Sequence, residues 1–256
     1  MTDGTTTLGD PAGGDVVIES VSKSFGGLQA LRNVSLTAKE SHVTALIGPN
    51  GAGKTTLFNV ISGALAPDTG TIRLGSLEIQ GMPLRRVAAR GLVRSFQEVR
   101  VFSRLTAREN IEVARESSEH RKDKRTSSAT RRSVPEILEL LGLPAGGLLP
   151  ASRMSYAEQK FVSLGRMLAF DPDVFLLDEP SSGLDANSAA HFIRLIEQLR
   201  TDGKTVVIVE HNLDLVRALA DEIAFLHMGE LLITGKPEDV LKDPRMQETY
   251  LGGQFA

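Results

Sequence analysis

A chain of 256 residues, 41% hydrophobic and 24% charged, can bury one sizeable core and has the composition of an ordinary folded protein. Its 29 Lys and Arg against 32 Asp and Glu leave a formal charge of −3, which gives no overall electrostatic reason for a nucleic-acid partner. Cysteine is absent, which excludes disulfide scaffolds, thiolate metal sites and thiol nucleophiles, and the five histidines show no HExxH-type spacing.

Residues 1–14, MTDGTTTLGDPAGG, have neither the basic nor the apolar region of a secretory signal and read as a loose tail. No run approaches the roughly 18 apolar residues of a spanning helix, so the expectation is a cytosolic chain that leaves any spanning to other subunits. Between Val16 and Gly81, the runs VVIESVSKSF, VSLTAK, HVTALIG, TIRLG and LEIQG predict short strands of a partly antiparallel sheet. Within them HVTALIG leads into GPNGAGKTT and then LFNVISGAL: a strand, a glycine-rich loop and a helix in succession. From Arg90 to Gly147 the composition changes, with a capping box at Thr106–Glu109 that opens a helix through Ile111 and Val113 and a second helix at PEILELLGL, 135–143. Residues 115–132 between them carry seven basic side chains against three acids; the reading is a solvated connection, the alternative an attraction to anionic lipid head groups. After Ser155, helices at Phe161–Leu168, Phe192–Leu199 (closed by Gly203) and NLDLVRALA alternate with the apolar runs VFLLDE and KTVVIVE. Two short strands, EIAFLHMG and ELLITG, end the series. That alternation predicts a parallel sheet covered on both faces.

The run Gly48-Pro49-Asn50-Gly51-Ala52-Gly53-Lys54-Thr55 fits G-x-x-x-x-G-K-[ST]. Small residues let successive backbone N–H groups converge on phosphate oxygens, and the helix starting near Gly53 turns its positive end to the same anion. Lys54 brings an ammonium to the terminal phosphates and Thr55 a hydroxyl to Mg²⁺. A carboxylate pair at the end of VFLLDE completes the requirement: Asp178 for the ion and Glu179 to polarise an attacking water. An ordinary glycine turn and a helix-capping Asp-Glu pair are the bland readings of the two motifs.

These residues, with others in fixed order, resemble the nucleotide-binding subunit of an ABC transporter over nearly the whole chain after the tail. The set is Gly48–Thr55, Gln97 in RSFQEVRVF, Met154-Ser-Tyr-Ala-Glu158, Leu177–Pro180, Ser182-Gly-Leu-Asp185 and His211 in IVEHN. The resemblance implies an α/β fold: a P-loop NTPase (RecA-like) core with a parallel sheet, an antiparallel β subdomain and an α-helical subdomain at about 97–160, all in a single domain over 15–256. It further implies that Phe25 stacks on adenine and that Gly48 to Thr56 hold the phosphates. Gln97 then meets Mg²⁺ and the lytic water, while His211 holds the γ-phosphate in line with Glu179. Ser155, Ala157 and Asp185 lie at the seam with a second cassette and close on its ATP. Catalysis falls to Glu179, His211, Gln97 and Lys54, and the metal to Thr55, Gln97 and Asp178. For Phe25, Gln97, His211 and Asp185 the bland readings are a core or edge phenylalanine, an exposed loop residue, a structural histidine and a helix start.

The common signature is Leu-Ser-Gly-Gly-Gln, from which Ala157 departs. Ser155-x-x-Glu158 is also a capping box, so Ala157 falls in the first helical turn, where its methyl group is tolerated by the backbone but crowds the phosphate. Weakened closure on ATP is the expectation. Tyr156, FGGLQAL, GLVRSFQEVRVFSRLTARENI and ETYLGG are similar to the ATP-binding subunits of branched-chain amino acid importers. That implies two transmembrane permease subunits, a second cassette (identical or not), an external solute-binding protein acting indirectly, and a place on the cytoplasmic face of the membrane. Amide or urea importers and lipopolysaccharide exporters carry similar cassettes. A soluble ABC ATPase acting on nucleic acid is disfavoured by the single cassette, the missing heptads and the acidic balance, and a P-loop kinase by Ser155, Ser182–Asp185 and His211.

Overall fold

The computed structural model describes residues 14–95, 99–119 and 131–250. Most of the predicted tail, Gln97, residues 120–130 of the basic segment and the end of ETYLGG lie outside them.

Among the described residues, ten strands form two sheets. Four make an antiparallel sheet: β1 (Val16–Phe25), β2 (Leu28–Ala38), β4 (Thr69–Leu74) and β5 (Leu77–Glu78), in the order β2-β1-β4-β5. The other six are β3 (Val43–Ile47), β6 (Leu92–Arg94), β7 (Val174–Asp178), β8 (Thr205–Val209), β9 (Glu222–His227) and β10 (Glu230–Gly235), in the order β10-β9-β3-β8-β7-β6. All its pairings are parallel except that of β10, which runs antiparallel along β9. Every residue of β3, β7 and β8 is buried, which is why these segments read as unbroken apolar runs.

Successive side chains of these strands enter two different cores, as the period of two demands. Val43, Ala45, Ile47, Phe175, Leu177, Val206 and Ile208 face one cluster with α3 (Ala107–Glu119), α4 (Val134–Leu140), α5 (Tyr156–Leu168), α6 (Ala186–Thr201) and α7 (Leu213–Leu219). Leu46, Val174, Leu176, Val207 and Val209 face the other, with α1 (Lys54–Ile61) and the antiparallel sheet. The parallel sheet is therefore the middle layer.

The capping boxes behave as their spacing predicts. Thr106 and Glu109, and Ser155 and Glu158, exchange reciprocal hydrogen bonds at the starts of α3 and α5. Elsewhere the expectations were too coarse. Strand β2 begins at Leu28, well before VSLTAK, because the exposed first turns of the β1–β2 hairpin carry no clean alternation. Neither α2 (Leu84–Ala89) nor β6, a three-residue strand too short to show a period, was anticipated. Two short helices, α8 (Pro237–Val240) and α9 (Pro244–Tyr250), follow β10. The C-terminal end of the basic segment is tied down, Arg132 in an ion pair with Asp202 and Arg131 donating to the Ala169 carbonyl at 3.0 Å. No helix among the described residues is long and apolar enough to cross a membrane.

Candidate nucleotide site

The site gathers where parallel strands end, at the carboxyl edges of β3, β7 and β8. After β3 the chain turns through Gly48 at φ +154°, where a Cβ would stand 2.0 Å from the Leu226 carbonyl oxygen, so only glycine fits. Lys54 opens α1 and is buried; its ammonium donates to the carbonyls of Gly48 at 2.6 Å and Pro49 at 2.9 Å. Burial pulls its pKa below the ordinary lysine value, an effect opposed by the charges of Glu179 and Asp178. Thr55 is exposed and Thr56 half-buried beside it.

Asn50 through Thr56 line one open cleft of about 560 Å³ together with Phe25, Leu28, Met228, Glu179 and His211. The fold thus brings most of the predicted residues together. Phe25, at the end of β1, is 48% exposed, which excludes the alternative of a core phenylalanine. Asp178 closes β7 just behind Glu179. Gln97 lies outside the described residues.

Glu179 has a left-handed backbone, φ +46°, rare for a residue with a Cβ. Its N–H donates to the Val209 carbonyl at 2.9 Å. From α5 the Lys160 ammonium donates to the carbonyls of Glu179 at 3.3 Å, Pro180 at 3.1 Å and Ser182. Burial lowers the Lys160 pKa, offset by Glu210 and Glu179. On the other side of the turn, buried Glu210 accepts from the N–H groups of Ser181 at 2.9 Å and His211 at 3.2 Å. Two fixed charges therefore clamp the turn, and the Glu179 Oε1 meets the Nε2 of His211 at 2.9 Å. Asp178 is 7% exposed and pairs through Oδ2 with Arg94 at 2.9 Å. Sequence reading missed Arg94, Lys160 and Glu210. Glu210 alone left a signal, a carboxylate ending the apolar run TVVIV as Asp178 ends VFLL.

Ser155, Ala157 and Asp185 lie elsewhere. They line a separate groove with Asn187, Ser188 and His191, to which the phosphate loop contributes no lining residue. Ser155 is the N-cap of α5 and Asp185 that of α6, accepting from the N–H groups of Asn187 at 2.9 Å and Ser188 at 3.0 Å. These bonds, that from Ser188 foremost, hold the Asp185 carboxyl below its usual pKa.

Among the described residues no cluster of three or more His, Asp or Glu side chains forms a metal cage. What the site offers is the Thr55 hydroxyl, which lines the cleft, and the nearly buried Asp178 carboxylate, which ends β7 next to Glu179. Two hard oxygen donors fit Mg²⁺, a cation that keeps waters and completes its shell with phosphate oxygens.

The family model for the ABC transporter matches residues 31–182. The chain is an ATP-binding subunit of the ABC transporter family. It is 34% identical over 252 residues to the high-affinity branched-chain amino acid transport ATP-binding protein LivG of Salmonella typhimurium, covering 93% of this chain and 97% of that one. With the corresponding protein BraF of Pseudomonas aeruginosa it shares 35% over 250 residues, 92% and 96% of the two chains. Among solved structures, the cassette MJ1267 in its ADP conformation superposes with a TM-score of 0.81 at 30% identity, covering 93% of this chain and 98% of that cassette. A dimeric post-hydrolysis cassette, MJ0796 bound to ADP and phosphate, does so at 0.73 and 27%, over 87% and 98%. The cassette fold, with its parallel and antiparallel sheets, is the one expected from the sequence.

Proposed function

We propose that this cassette binds ATP with Mg²⁺ and hydrolyses it to power the import of branched-chain amino acids through membrane subunits. The observation that carries hydrolysis is the 2.9 Å contact between Glu179 and His211, in the cleft that holds the phosphate loop. The adenine stacks on Phe25 and the phosphates lie on the N–H groups of Asn50 to Thr56 in the Gly48–Thr56 loop, with Lys54 turning from its loop carbonyls to the terminal phosphate. Thr55, Asp178 and Gln97 hold Mg²⁺, which when bound neutralises phosphate charge. Glu179 takes a proton from water as the water oxygen bonds to the γ-phosphorus. The bond from that phosphorus to the bridging oxygen breaks, and ADP leaves with those electrons. His211 keeps the Glu179 carboxylate and the γ-phosphate aligned.

The placement of Ser155, Ala157 and Asp185 in a groove apart from the phosphate loop supports a second cassette, each subunit's α5 tip closing on the ATP held by the other. Two permease subunits and, indirectly, an external solute-binding protein complete the assembly, with this chain at the cytoplasmic face. The relatives named above carry the choice of branched-chain amino acids, since a cassette does not touch the solute. Glu179→Gln tests the chemistry. It should bind ATP as the wild type does while phosphate release falls by about 10²- to 10⁴-fold, the usual contribution of a general base. Wild-type turnover in that variant removes Glu179 from the mechanism.

A further inference from the structure

We propose that Arg94 is a positioning residue that sets the distance between the two oxygen donors offered to the metal. The inference rests on the proposed binding of nucleotide with Mg²⁺. Those donors come from separate elements, Thr55 from α1 and Asp178 from β7. In the sheet, β3, which leads into α1, is not adjacent to β7, because β8 lies between them. The ladders therefore tie β7 to β3 only through β8, and α1, the helix that carries Thr55, belongs to no ladder.

Arg94 supplies the missing tie. It ends β6, the edge strand beside β7, and its guanidinium forks. Nη2 donates to Asp178 Oδ2 at 2.9 Å, while Nη1 donates to Oδ1 of Asn59, which lies on α1 one turn beyond Thr55. The guanidinium carbon stands 5.6 Å from the centroid of the Phe58 ring on the same helix. The side chains of Arg94 and Asp178 are only 11% and 7% exposed, so the pair is shielded from solvent and the fork is held rigidly. Lys54 does not share the task, since its ammonium is taken up by the carbonyls of Gly48 and Pro49. A planar fork can hold two oxygens at a set spacing; a lysine ammonium, a point charge on a flexible stem, cannot. Groups that hydrogen-bond a metal's carboxylate ligand typically change metal affinity by about 10- to 100-fold when removed.

The test uses the full chain and a fluorescent ADP analogue, titrated with Mg²⁺ and separately in EDTA, with Mn²⁺ spectroscopy as an independent readout of the metal. Arg94→Lys keeps the charge beside Asp178 and Asn59→Leu keeps both charges, so each should fold; thermal melts check this. Both should weaken metal-supported binding at least tenfold and leave binding in EDTA unchanged. Equal losses with and without metal mean a purely structural ion pair and overturn the proposal, as does unchanged or tighter metal binding in Arg94→Lys. A wild-type protein whose nucleotide binding ignores Mg²⁺ defeats the underlying reading instead.

Discussion

At the scale of single residues, the phosphate loop separates two demands that a glycine can meet. Gly51 at φ +79° has open space where its Cβ would be, so Gly51→Ala meets only backbone strain, roughly 1–3 kcal/mol at a left-handed position. Gly48 has a carbonyl oxygen 2.0 Å from the same atom, and that oxygen belongs to β9, the strand paired with β3. Gly48→Ala must therefore shift β9 or the loop. It should lower the melting temperature more than Gly51→Ala and cut ADP affinity at least tenfold, because the shifted amides no longer converge. Calorimetric melts and ADP titration of the two variants give the comparison; equal effects at both positions contradict it.

At the scale of elements, α5 acts from both ends of its first turns. Its cap, Ser155, faces the groove shared with Asp185, while Lys160 reaches the turn that carries Glu179. Three carbonyls on one ammonium hold a backbone that a non-glycine residue resists. Lys160→Met should therefore let the turn relax and reduce the ATP turnover rate by about 10- to 100-fold with little change in ADP affinity. Lys160→Arg should restore part of it, and a matched loss of affinity in Lys160→Met would point to general unfolding instead. How much of this was legible follows from the range of each constraint. The phosphate loop, the Asp178–Glu179 pair and the Ser155 cap are contiguous patterns in which neighbours dictate one another, and all were readable. Phe25 and His211 were reached through family likeness, because a lone aromatic or imidazole has many bland uses. Lys160 left no trace: its partners lie about twenty residues away, across a strand and a turn. Arg94 was hidden further still, on a strand too short for a period and paired with a residue 84 positions on.

At the scale of the whole molecule, the cleft is where the layers meet. Phe25 and Leu28 come from the antiparallel sheet, Asn50 to Thr56 follow β3 of the parallel one, and Glu179 and His211 follow its strands β7 and β8. A nucleotide lying there touches both sheets at once. Binding to the native state alone adds about 2.7 kcal/mol at one hundred times the dissociation constant. For a chain of this size that corresponds to roughly 5–10 °C in the melting temperature. Because both sheets share a core through Leu46, Val174, Val207 and the buried residues of β1 and β2, the shift should appear as one transition moving intact. Differential scanning calorimetry with and without Mg²⁺ and ADP measures it. Phe25→Ala should lose part of the shift and Gly48→Ala most of it. If the heat absorption splits into two peaks and ADP moves only one, the nucleotide is held by a single layer and Phe25 has no part in binding.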